Sequence, residues 1–169
     1  VDIDNVDVTN INRQLPATMD VIGNPKVKIL EERFSKINPA TEIVVHQKLY
    51  DKDTSASFGL ETYDYIIDAI DSLENKIHLI QAATRTNAVF FSSMGAALKI
   101  DPTKVQVSEF WKVKGCPLAR VVRQRLKDRE KPAKKFLCVY SEELIRNRGE
   151  MKYMDSAICS YPKGQPNGT

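Results

Sequence analysis

Apolar residues recur along this chain in two distinct periods, and their succession predicts an α/β protein. Val27, Leu30, Phe34 and Ile37 return at helical spacing, with Asn24 placed as an N-cap, Pro25 at the first helical position and Asn38-Pro39 as the stop. Glu42–Tyr50 alternates around Ile43, Val44 and Val45 as a strand would, and Val1–Ile3 reads as the end of another. Tyr63–Asp68 and Ala88–Ser93 are short apolar runs of the kind that form buried parallel strands. Between them, Ser72–Asn87 is predicted helical, with Ile77, Ile80 and Ala83 on its inner face.

Strand, helix, strand, helix, strand implies a doubly wound, mainly parallel sheet of Rossmann-like type. Beyond Gly95 the pattern changes. Lys104–Phe110 alternates like an antiparallel strand, Pro117–Glu130 is a basic helix, Phe136–Tyr140 a strand, and Ser141-x-Glu143-Leu144 a short helix start. The expected organisation is therefore a partial nucleotide-binding region over residues 1–100 and a substrate-facing, partly antiparallel extension over 101–169. Gly164–Thr169 reads as an irregular end.

Composition narrows the class without choosing a function. At 169 residues, 42% hydrophobic and 28% charged, the chain is long enough for a real core and has no run of membrane-spanning length. Cys116, Cys138 and Cys159 are far apart and odd in number, which favours a reducing, cytoplasmic setting over a disulfide scaffold. No C-x-x-C pair occurs, and two histidines cannot complete a zinc ligand set, so no zinc is expected. Cys159, with Lys152 and Lys163 nearby, is a weak candidate nucleophile, while Cys138 sits in an apolar strand.

The chemistry concentrates at three places. The first is V-D-I-D-N-V-D-V-T-N-I-N-R-Q, which sets Asp2 and Asp4 at a strand end and follows them with Asn10, Arg13 and Gln14. A carboxylate there suits ribose hydroxyls, a guanidinium grips two phosphate oxygens, and neutral amides add donors. The second is Gly23-Asn24-Pro25-Lys26, whose lysine falls in a helix's first turn, where amide dipoles add positive potential for an anion. The third is Asp68-Ala69-Ile70-Asp71 after a strand, with Lys76 a little further on. Residues of these types also have plain structural uses: turn carboxylates, helix caps, solvated surface cations. Ligands of doubly wound sheets bind beyond the strands' carboxyl ends, and Asp2 and Asp71 both fall at or past such ends.

These motifs together resemble the ThiF/MoeB/HesA superfamily of ATP-dependent adenylating enzymes, relatives of ubiquitin-activating enzymes, which carry D-x-D-x-V-x-x-x-N-x-x-R-Q, then G-x-x-K, then D-x-x-D. The resemblance implies ATP and Mg²⁺ as cofactors, and catalytic parts for Arg13, Lys26 and Asp71, with Asp71 holding the metal. It implies nucleotide contacts for Asp2, Asp4, Asn10, Arg13, Gln14, Lys26, Asp68 and Lys76, and a homodimer. The family's first strand and glycine-rich loop do not precede Asp2, so the chain reads as a fragment, inactive on its own.

In the second half, M-G-A-A-L-K-I-D-P-T-K-V-Q-V, G-C-P-L-A-R-V-V-R-Q-R-L-K-D and F-L-C-V-Y-S-E-E are similar to the tRNA threonylcarbamoyladenosine dehydratase branch. Met94-Gly95-Ala96-Ala97 departs from that branch's more glycine-rich loop, and Gly115-Cys116 precedes the Pro-Leu-Ala. The branch implies adenylation and cyclising dehydration of a carboxylate carried on tRNA. Arg120, Arg123, Arg125 and Lys127 of the basic helix are the candidate tRNA contacts, in a segment whose cations suit a polyanion. Two alternatives stand beside this one: adenylation of the C-terminus of a ubiquitin-like or sulfur-carrier protein, and a non-catalytic nucleotide-binding module.

Overall fold

The structure is a computed structural model describing residues 1–145, and the chain divides after Tyr50 into two compact units. Cys159, Lys152, Lys163 and residues 164–169, for which the sequence raised expectations, lie outside the described residues.

In the first unit, the backbone of Asp4–Val6 folds against the turn that opens helix α1 (Lys26–Ile37). The Val6 amide donates to the Asn24 carbonyl at 2.8 Å, the Gly23 amide to Val6 at 2.8 Å and the Lys26 amide to Asp4 at 3.0 Å. Gly23 makes this return possible at φ +85, a left-handed conformation that a side chain would resist. Val6, Ala17 and Val27 form the buried apolar centre.

Three expectations change here. Pro25 is itself the cap and Lys26 the first helical residue, with no side-chain cap from Asn24. Phe34 and Ile37 of α1 are exposed although their spacing is helical. Neither Val1–Ile3 nor Glu42–Tyr50 forms a strand, although the Asp2 amide donates to the His46 carbonyl at 3.1 Å. A strand needs a continued ladder, and alternation in sequence cannot supply the partner.

The second unit is a mixed sheet with the strand order β1-β2-β4-β3. Strands β1 (Tyr65–Asp68), β2 (Val89–Ser93) and β4 (Leu137–Ser141) run parallel, and β3 (Val105–Glu109) closes one edge antiparallel to β4. Helix α2 (Leu73–Arg85) crosses from β1 to β2, and α3 (Pro117–Asp128) lies between β3 and β4 in the chain. The boundary expected near residue 100 falls inside this sheet, because β3 and β4 complete the same ladder as β1 and β2.

The core takes the predicted inner face of α2. Ile77, Ile80 and Ala83 of α2 and Ala119, Val122 and Leu126 of α3 are fully buried. Phe136 stacks on Phe110 with 4.8 Å between centroids and meets Phe90 edge-on at 5.1 Å. Each such ring contact contributes about 1 kcal/mol beyond area burial.

The strands are not buried on both faces as their apolar runs predicted. Ile66 and Phe90 point into the core, whereas Ile67 is 75% exposed and Tyr65, Val89 and Leu137 also face outward. Periodicity reads two apolar faces but cannot say whether a second layer of helices covers them. No described helix is long and apolar enough to cross a membrane.

The expected helix start at Ser141–Leu144 is absent. Ser141 ends β4, and the chain continues as an irregular segment passing within backbone contact of Gly115. A Cβ on Gly115, which has φ +68, would stand 2.8 Å from the Glu142 carbonyl oxygen. Gly115→Ala is therefore expected to cost roughly 2–3 kcal/mol, through left-handed strain plus this clash. The shift of the urea midpoint measures it, and an unshifted midpoint would contradict the close approach.

Candidate active site

The first unit gathers the leading motif into one turn system. The Asp2 carboxylate accepts the Asp4 amide at 2.8 Å, an Asx turn that fixes the D-x-D backbone. Asp4 in turn pairs with Lys26 at 2.9 Å, joining the D-x-D segment to the opening of α1. Lys26 thus stands at a helix N-terminus with a carboxylate as its present partner. An ammonium there disfavours the dipole unless an anion joins it, so exchanging Asp4 for a phosphate retains the compensation.

Asp7, Asn10 and Thr9 form a reciprocal capping box. Asp7 accepts the Thr9 amide at 2.8 Å and its hydroxyl at 2.7 Å, while Asn10 accepts the Asp7 amide at 3.1 Å. The bonds from Thr9 hold the Asp7 carboxyl below its ordinary range, with Lys26 adding a smaller pull. Asn10 is buried in this turn, so its acceptor orders the backbone instead of pointing at solvent. Arg13 is exposed, with its guanidinium on the Thr9 carbonyl at 2.5 Å and the Asn12 side chain at 3.1 Å. Gln14 is half-buried, and its backbone N–H donates to the Asn10 backbone carbonyl at 2.9 Å.

In the second unit the two aspartates of D-A-I-D have opposite surroundings. Asp68, at the end of β1, is fully buried and forms an ion pair with the fully buried Lys76 at 2.6 Å. The same carboxylate accepts the Ser92 hydroxyl at 2.5 Å and the Ile70 amide at 2.9 Å, and Lys76 also donates to the Ser93 carbonyl at 3.0 Å. This network ties the carboxyl ends of β1 and β2 together and sets the loop between Asp68 and α2. Asp68 and Lys76 thus pair with each other beneath the surface, and neither side chain is open to solvent.

Asp71 lies three residues on, exposed, and engages no other side chain among the described residues. Its cap alternative is not realised, since Ser72 occupies the N-cap of α2. A lone outward carboxylate past a parallel strand fits Mg²⁺, which takes one or two carboxylates and fills its octahedron with phosphate oxygens and water. Among the described residues, no three His, Cys, Asp or Glu side chains cluster as a metal cage.

The cations of the basic helix differ in exposure and partners. Arg120 and Lys127 are exposed on one face, and Arg125 is exposed near Glu74. Arg123, a candidate tRNA contact, is half-buried instead. Its guanidinium donates to the Phe110 and Val113 carbonyls at 3.1 and 2.9 Å and lies 5.8 Å above the Phe110 ring. Arg129 pairs with Glu74 at 2.6 Å, and Lys134 closes on the Thr86 and Ala88 carbonyls.

Cys116 and Cys138 are buried and free. Cys116 caps α3 by accepting the Ala119 amide, and burial pushes the Cys138 thiol from 9.0 up to about 12. The folded value is the higher one, so this thiol's contribution is full below the unfolded pKa and is lost as pH rises toward 12. Stability is expected to fall between pH 9 and 11, and Cys138→Ala to flatten that decline in urea titrations. An identical decline in the variant would contradict it.

Sequence reasoning missed Gly115, Glu143 and the inward fate of Lys76. For Lys76 a signal existed, because positions 76, 80 and 83 share the helical face that Ile80 and Ala83 define.

Residues 1–140 match the model of the ThiF family. The chain is 39% identical over 143 residues to the tRNA threonylcarbamoyladenosine dehydratase of Bacillus subtilis, covering 85% of this chain and 56% of that protein. It is 39% identical over 127 residues to the enzyme of that name from Escherichia coli, covering 75% and 47%. The chain thus spans about half the length of these relatives. The crystal structure of the Escherichia coli dehydratase in complex with ATP superposes with a TM-score of 0.82 at 36% identity, covering 88% of this chain and 63% of that one. With the D-x-D, G-x-x-K and D-x-x-D segments all inside the matched span, the chain belongs to the ThiF family.

Proposed function

We propose that this chain is the adenylating part of a tRNA threonylcarbamoyladenosine dehydratase. The observation that carries the reading is that likeness to proteins of that name covers 85% of the chain in sequence and 88% in structure, and so enters both units. The ATP in the Escherichia coli complex supports a nucleotide as co-substrate.

In this reading Asp2 and Asp4 serve the ribose end, and Arg13, Gln14 and Lys26 serve the phosphates. Lys26 exchanges Asp4 for a phosphate oxygen. Asp71 holds Mg²⁺, which neutralises phosphate charge when bound. Asn10 orders the turn, and Asp68 with Lys76 fixes the loop that carries Asp71.

A substrate carboxylate oxygen attacks the α-phosphorus, the bond to the β-phosphate oxygen breaks, and pyrophosphate leaves. Attack within the threonylcarbamoyl group on the activated acyl carbon then closes a ring and expels AMP with the former carboxylate oxygen. The net change is loss of water. The protein contributes position and fixed positive charge and forms no covalent bond. Arg120, Arg125 and Lys127 lie on the surface that meets tRNA phosphates. The enzyme works in the cytoplasm as a homodimer.

Purified full-length parent protein, given ATP, Mg²⁺ and threonylcarbamoyladenosine-containing tRNA, should release AMP and pyrophosphate one for one with cyclised nucleoside. Pyrophosphate release driven instead by a carrier protein ending in Gly-Gly, with tRNA inert, would replace this reading with carrier activation.

A further inference from the structure

The loop leaving β2 is fixed at both ends. At its root, Lys76 holds the Ser93 carbonyl, and Gly95 packs closely beneath Leu118, where a Cβ would stand 3.4 Å from the Leu118 side chain. At its exit, one carboxylate oxygen of Glu143 accepts two successive backbone amides, Ile100 at 2.8 Å and Asp101 at 3.0 Å. Lys99 reaches back to the Glu143 carbonyl. Between these ends Leu98 has φ +58, the one non-glycine residue with a positive φ among the described residues. A left-handed leucine persists only where its surroundings over-determine it, and such strain gathers where a loop must hold one shape.

Glu143 is itself immobilised from the other side. Its amide donates to the Ser141 hydroxyl at 3.2 Å, and the preceding residue passes against Gly115 at the entry to α3. The clamp therefore joins the loop after β2 to the start of the helix that carries Arg120 and Lys127. The loop leaves the carboxyl end of β2, beside the carboxyl end of β1 that precedes Asp71. That is the edge at which doubly wound sheets bind ligands.

We propose that Glu143 is a positioning residue, whose carboxylate holds the Gly95–Asp101 loop in the shape that receives the modified adenosine of tRNA. The inference rests on the dehydratase reading for its substrate but on the clamp alone for its geometry. ATP contacts are assigned elsewhere, so the clamp's effect falls on the tRNA and not on the nucleotide. A glutamine keeps an acceptor oxygen for both amides, whereas an alanine leaves none.

The experiment uses full-length parent protein with Glu143→Ala and Glu143→Gln. Amide exchange at Ile100 and Asp101 should quicken at least tenfold in Glu143→Ala and stay near wild type in Glu143→Gln. In steady-state dehydration, Glu143→Ala should lose at least tenfold in kcat/KM for tRNA, with ATP affinity changed less than twofold. Glu143→Gln should recover most of that loss.

Unchanged exchange in Glu143→Ala would overturn the clamp, whatever the substrate proves to be. Quickened exchange with unchanged kcat/KM for tRNA would overturn its part in positioning. Equal losses in both variants would show that the charge, not the acceptor geometry, matters, and would overturn it too. A wild-type parent with no tRNA-dependent turnover would sink the dehydratase reading and with it the substrate named for this loop, leaving exchange to decide the clamp.

Discussion

Lys76→Met is expected to remove about 3–5 kcal/mol of folding stability. The methionine fits the lysine stem, but it leaves the fully buried Asp68 carboxylate without its cation. The Ser92 hydroxyl and the Ile70 amide remain as partners, and neither carries charge. A loss of this size is a large part of the 5–15 kcal/mol that holds a typical domain together.

Asp68→Asn with Lys76→Met should recover more than half of it. Removing both charges abolishes the uncompensated one, while the Asn oxygen still accepts from Ser92 or Ile70. Urea titration of the single and double variants measures both effects. A single variant within about 1 kcal/mol of wild type would show that the pair behaves like a surface bridge.

The second large effect is on activity. Asp71→Asn in the parent protein is expected to lower the rate of tRNA-dependent AMP release by about 10²–10³-fold, the scale on which an active site loses a preorganised charge-stabilising group. Asp71 is exposed and does not cap α2, so the same substitution should leave the urea midpoint close to wild type. Raising Mg²⁺ should restore part of the rate if the carboxylate is a metal ligand. A rate within threefold of wild type at limiting Mg²⁺ would remove Asp71 from the mechanism.

The contrast between Asp68 and Asp71 shows what a sequence can and cannot convey. Motif spacing located both on one strand-to-helix loop, and strand periodicity located the elements around them. It did not separate the buried aspartate from the outward one, because burial depends on which helix returns over the strand end. Lys76 is the clearest case: its place on the face of Ile80 was readable, but its partner across the β1 terminus was not.

Longer-range pairings were the least legible. Glu142-Glu143 follows β4 with acidic, helix-favouring character, yet the Glu143 side chain is drawn to amides 42 and 43 residues earlier, and no helix starts. Arg123 was one of several cations on a basic helix until two carbonyls and a phenyl ring were found beneath it. Alternation over Glu42–Tyr50 signalled a strand, but only a neighbouring strand could have realised it. By contrast, β1, α2, β2, β3, α3 and β4 stand within a few residues of their predicted spans, because each packs the face that its own periodicity marks.

The most direct measurement is the tRNA nucleoside profile of the source cell after deletion of the gene for the full-length parent, read by liquid chromatography and mass spectrometry. The dehydratase reading predicts loss of cyclised threonylcarbamoyladenosine and a matching gain of the open, hydrated form. Retention of the cyclic nucleoside, in a cell that makes it and has no second gene of this kind, would contradict that reading.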